Sequence, residues 1–117
     1  MYSLMRTVAE VAMTQHGKTP EELFNELARV WREETAVHSS LSEICLHWAY
    51  QRIIGMGDAA VPLILKELER KPGHWHWALA ALTGANPVPD EYRGKIKDMA
   101  RFWVEWGRKN GYLPATY

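Results

Sequence analysis

Apolar residues recur every three or four positions through this chain, and glycine or proline falls where that rhythm stops. A 3.6-residue period places such residues along one side of an α-helix. No stretch alternates apolar and polar residues in the way that lines one face of a strand. The pattern predicts an all-α fold, a compact bundle of about six helices. Gly17, Gly55, Gly57, Pro72, Gly73, Gly84, Pro87, Pro89, Gly94, Gly107 and Gly111 are its punctuation.

At 117 residues the chain fits one domain, residues 1–117. That length buries roughly two-thirds of the surface its unfolded form exposes, so folding needs no metal or disulfide staple. Apolar residues make up 47% of the chain, too many for disorder. Fourteen basic residues balance fourteen acidic ones, which argues against a strongly basic nucleic-acid binder. The single cysteine, Cys45, excludes an internal disulfide and suits a reducing compartment. Arg6 and Glu10 interrupt the first segment, and no apolar run reaches the ~18–20 residues of a membrane span. The expected location is the cytoplasm.

The first helix is predicted over residues 3–15, with Gly17 as its cap. The second starts at the best-marked boundary. Thr19 is its N-cap, Pro20 takes the first helical position and Glu22 closes a capping box. Leu23, Leu27, Val30 and Trp31 form its apolar face, with Glu26, Arg29 and Glu33 on the wet side. The third begins at Ser40, with Glu43 three residues on, and is apolar on two faces. Leu41, Ile44, Cys45 and Trp48 make one, and Leu46, Ala49, Tyr50 and Ile53 the other. Such a helix is expected to be an inner one, with Glu43, His47 and Gln51 as a narrow polar strip. Asp58 is read as the cap of a fourth helix to residue 70, with Val61, Ile64, Leu65 and Leu68 inward. A short fifth helix covers 74–83 and ends at Gly84. The last covers 95–109 with Ile96, Met99, Ala100, Trp103 and Gly107 inward, and Phe102 and Trp106 widen its stripe.

The run Gly57-Asp-Ala-Ala-Val-Pro-Leu-Ile-Leu-Lys-Glu-Leu-Glu69, the Pro72-Gly73 turn and the segment Trp75 to Gly84 resemble a single HEAT-type helical hairpin. The chain departs from that family in having no second copy at a fixed period, whereas a solenoid needs about three repeats. It also places two tryptophans and two histidines where the second helix is ordinarily Ala/Leu-rich. The resemblance implies the hairpin and not the array. A longer set of pieces resembles a family of small, uncharacterised bacterial helical proteins. These include Trp31-Arg-Glu-Glu-Thr35, Tyr50-Gln-Arg-Ile-Ile-Gly-Met-Gly57, His74-Trp-His-Trp-Ala-Leu79, Pro87-Val-Pro89 and Trp103-Val-Glu-Trp-Gly107. That resemblance implies a bacterial, helical protein and carries no catalytic residue across.

No constellation points to chemistry. His74 and His76 are two apart and point to different sides of a helix, as do Cys45 and His47, so no metal and no cofactor is expected. Glu33, Glu34, Glu67 and Glu69 read as solvated surface, and Ser39 and Ser40 as a helix cap. No catalytic residue is assigned, and the chain is read as no enzyme.

Six tryptophans need an explanation. Most fall on core stripes. Trp77 does not: helix geometry sets it about 200° from Trp75, so another element or a partner covers it. Trp106 lies beside the core stripe of the last helix. Tryptophan anchors interfaces because it buries a large area and still offers an N–H. The expected function is docking of a partner protein through an aromatic-rich face carrying His76, Trp77 and Trp106. The alternative is a nucleic-acid-associated regulator. Residues 85–117 hold six basic against four acidic groups, and Lys97, Arg101 and Arg108 share one side of the last helix.

Overall fold

A computed structural model describes residues 18–37 and 40–115. Within them the chain is all-α, with six α-helices, two single-turn 3-10 helices and no strand. The helix expected over 3–15, its Gly17 cap and Ser39 lie outside the described residues. The helices group into two compact units that divide between Met56 and Gly57.

In the first unit, α1 (Pro20–Thr35) starts as the sequence predicts. Thr19 Oγ1 accepts the Glu22 N–H at 3.2 Å, and Glu22 Oε1 accepts the Thr19 N–H at 3.0 Å. Those bonds hold the Glu22 carboxyl below its ordinary pKa. The buried face is wider than the predicted stripe: Phe24 is fully enclosed while Leu23 is only half-buried. Arg29 bridges Glu26 at 2.8 Å and Glu33 at 3.1 Å, the helical spacing expected of that surface. Trp31 fixes the next element, its indole N–H donating to the Ile44 carbonyl at 2.7 Å.

The predicted third helix is two helices, α2 (Leu41–Leu46) and α3 (Trp48–Ile54). His47 breaks them with an extended ψ of 139°. Its Nδ1 then accepts the Ala49 N–H at 3.1 Å and caps α3. Gln51 donates its side-chain N–H to the Cys45 carbonyl at 2.9 Å, taking up an acceptor freed by the break. The break resets the helical phase, so the expected two-faced inner helix does not exist. Leu41 and Leu46 are 53% and 60% exposed, while Ile44, Cys45, Ala49, Tyr50 and Ile53 are buried.

The surface reading of Glu34 is also corrected. Its side chain is 5% exposed and that of His47 4%, and His47 Nε2 lies 2.8 Å from Glu34 Oε1. Because Nδ1 accepts a backbone N–H, the proton of the neutral ring sits on Nε2 and is donated to Glu34. One imidazole therefore caps α3 and satisfies a buried carboxylate on α1.

The second unit opens with a 3-10 turn, Gly57–Ala59, followed by α4 (Ala60–Arg70). Asp58 lies inside that turn and does not cap α4. The residue at the cap position is Ala59, with no side-chain hydrogen bond. Val61, Ile64, Leu65 and Leu68 are buried as the period predicts.

Next comes α5 (His76–Thr83), two residues later than expected, with Trp75 buried at its cap position and Gly84 closing it at φ 72°. That left-handed angle is what favours glycine there. Asp90–Tyr92 forms a 3-10 turn, and α6 (Ile96–Lys109) buries Met99, Ala100, Trp103, Val104 and Gly107. Gly107 is required by close approach: a Cβ there would lie 2.6 Å from Leu65 Cδ1 on α4.

Candidate docking face

The predicted site residues belong to the second unit, and the structure links two of them through a third. His76 and Trp77 occupy the first two positions of α5. Trp103 rises from α6 with its ring buried, and its indole N–H donates to His76 Nδ1 at 2.9 Å. The two rings are 5.7 Å apart at 58°. Trp103 meets Trp106 edge to face at 5.4 Å, and Trp106 stacks on Tyr112 at 5.4 Å and 18°. His76, Trp103, Trp106 and Tyr112 thus form one continuous aromatic row. Tyr112 is held by the end of α6, its N–H donating to the Gly107 carbonyl at 2.9 Å.

Trp77 stands outside this row and is 40% exposed. The reason is the helical offset seen in the sequence: Ala78 and Leu79 take the buried positions of α5, which turns the second residue outward. No hydrogen bond or ring contact fixes its indole among the described residues. Trp106 is half-buried, one face against Tyr112 and an edge against Trp103.

The electrostatics centre on His76. Burial, and then the positive charge of Arg93, hold its pKa below the ordinary imidazole value. Arg93 follows the 3-10 turn Asp90–Tyr92 and is exposed. Neither Arg93 nor Tyr112 stood out in the sequence. The charge of Arg93 acts on His76 from 17 positions away, and Tyr112 meets Trp106 through the turn that follows α6, so helical spacing encodes neither role.

The three cations of the alternative reading have different surroundings. Lys97 is exposed. Arg101 lies 4.5 Å from the Phe102 ring centre and 3.5 Å from the Asp98 carboxylate. Arg108 is drawn back onto α4, where its guanidinium pairs with Glu69. Two of the three therefore already face a carboxylate. Among the described residues no three His, Cys, Asp or Glu side chains gather where a metal ion could be held. None of the described helices is long and apolar enough to cross a membrane.

No family model, no curated protein and no solved structure matches this chain.

Proposed function

We propose that this chain is a non-enzymatic protein-interaction module that docks a partner protein through the face carrying His76, Trp77 and Trp106. The observation that carries the reading is the exposure of Trp77 next to a fixed aromatic row. A large indole left 40% in water, on a helix that buries Ala78 and Leu79, is an anchor without its socket. The row behind it is held by a hydrogen bond and by ring packing, so docking would order few side chains.

A cytoplasmic adaptor, an inhibitor or antitoxin, or an accessory subunit fits this reading. The resemblance of residues 57–84 to a HEAT-type hairpin favours the same kind of role, because such hairpins serve as scaffolds. The reading assigns no catalytic residue. The ion pair of Arg108 with Glu69 favours it over nucleic-acid binding by α6, since a cation already neutralised adds little to phosphate affinity.

The test is quantitative capture of partners by tagged wild type and by Trp77→Ala, with nuclease present. The reading expects a stoichiometric protein partner that survives nuclease and is lost from Trp77→Ala, with helicity and melting temperature retained. Partners that vanish with nuclease would overturn it.

A further inference from the structure

We propose that His76 is an acid-sensitive latch on the docking face: a proton taken up at its Nδ1 unties the first turn of α5, which carries Trp77, from Trp103 of α6 and weakens docking. This rests on the docking reading above and adds a regulation of that site.

The latch is one hydrogen bond. His76 Nδ1 accepts the Trp103 indole N–H at 2.9 Å, and a protonated nitrogen is a donor that can accept nothing. Two donors would then face each other, and one ring must turn away. Trp103 is fully enclosed and His76 half-buried, so the imidazole is the ring with room to turn. His76 and Trp77 are the first two residues of α5, and Trp75 at its cap position makes no side-chain hydrogen bond to the turn. A helix start without such a cap relies on its tertiary ties. Loss of the tie to Trp103 therefore falls on the turn that presents Trp77.

The surroundings set the direction. A charged His76 would sit at the positive end of the α5 dipole. From α6 the ring meets the neutral Trp103 indole, and from the segment after the Asp90–Tyr92 turn the positive charge of Arg93 acts on it. Just before α5, the exposed His74 is the other titratable group. Burial and Arg93 both disfavour the proton, and no carboxylate among the described residues pairs with the ring to hold it. The bond is thus intact at neutral pH and is given up on acidification, below the ordinary imidazole value of 6.5.

The test follows the full chain by NMR from pH 7.5 to pH 4.5. Leu79 donates its N–H to the Trp75 carbonyl at 3.0 Å, so its hydrogen-exchange protection reports the first turn of α5. That protection should fall by about tenfold per pH unit below 6.5 and level off where the His76 ¹⁵N and Trp103 indole resonances titrate. The Leu65 amide of α4 should keep its protection, and His76→Gln should make the Leu79 profile independent of pH. Constant protection at Leu79 while His76 titrates would overturn the proposal. The same slope in His76→Gln, or an equal loss at Leu65, would overturn it too. Protein captured at pH 7.5 in the presence of nuclease should be held more weakly at pH 5.0. A partner held equally at both would overturn the regulation and leave docking standing. The docking reading itself falls where Trp77→Ala keeps its partner, whatever the pH profile.

Discussion

The Trp103 indole N–H donates to His76 Nδ1 at 2.9 Å across 27 positions of sequence, tying the first turn of α5 to the middle of α6. A second proton on His76 would have to displace that bond. Burial, and then the charge of Arg93, also lower the pKa of His76, so the folded state binds this proton less readily than the unfolded chain. The sign follows directly. Between the depressed folded value and the ordinary one near 6.5, the unfolded state holds more protons, so stability rises with pH. The contribution is complete above the ordinary value and is lost as pH falls through the folded one. Urea midpoints measured between pH 5 and pH 7.5 should fall on acidification. His76→Gln, which keeps an acceptor for Trp103, should show a smaller fall.

His47 answers for two groups at once, so its replacement should be severe. His47→Ala leaves the Ala49 N–H without its cap and Glu34 buried without that donor. Taking a hydrogen-bond donor from a buried charged acceptor costs upward of about 1–3 kcal/mol. His47→Asn keeps a capping oxygen and should be milder. Denaturant titration of both variants checks the order, and equal losses would show that the cap contributes nothing.

Much of this architecture is legible in the sequence, and the exceptions share a cause. The Thr19 capping box, the inward residues of α4, the Gly84 cap and the outward turn of Trp77 all follow from spacing within one helix. The break at His47 does not. Residues 41–53 keep an apolar rhythm, and histidine is an uncommon cap, so the local pattern reads as one helix. Glu34 reads as surface because its partner is 13 positions away. The charge of Arg93 acts on His76, 17 positions away, only through the packed unit. Interactions within four residues are written in spacing, and those set by tertiary packing are not.

Gly107 brings α6 against Leu65 of α4. Gly107→Ala would place a methyl 2.6 Å from Leu65 Cδ1, on a fully buried side chain that would have to shift. Overpacking of this kind costs about 1–3 kcal/mol. Leu65→Val in the same chain should return part of the loss, which a double-mutant cycle of melting curves would detect.

Cys45 is enclosed by α2 and its neighbours, and burial pushes its thiol pKa up. A thiol that is both enclosed and protonated is a poor nucleophile. Iodoacetamide should leave it unmodified in the native chain and alkylate it at the rate at which the first unit opens. Rapid alkylation without denaturant would contradict that packing.

The central claim is that Trp77 is the point of contact with a partner protein. The most direct measurement places the photocrosslinker p-benzoylphenylalanine at position 77 in one sample and at position 97 in another, inside cells, with nuclease added before analysis. The account predicts one discrete protein adduct from position 77 and none from position 97. No adduct from 77, or the same adducts from both positions, would contradict it.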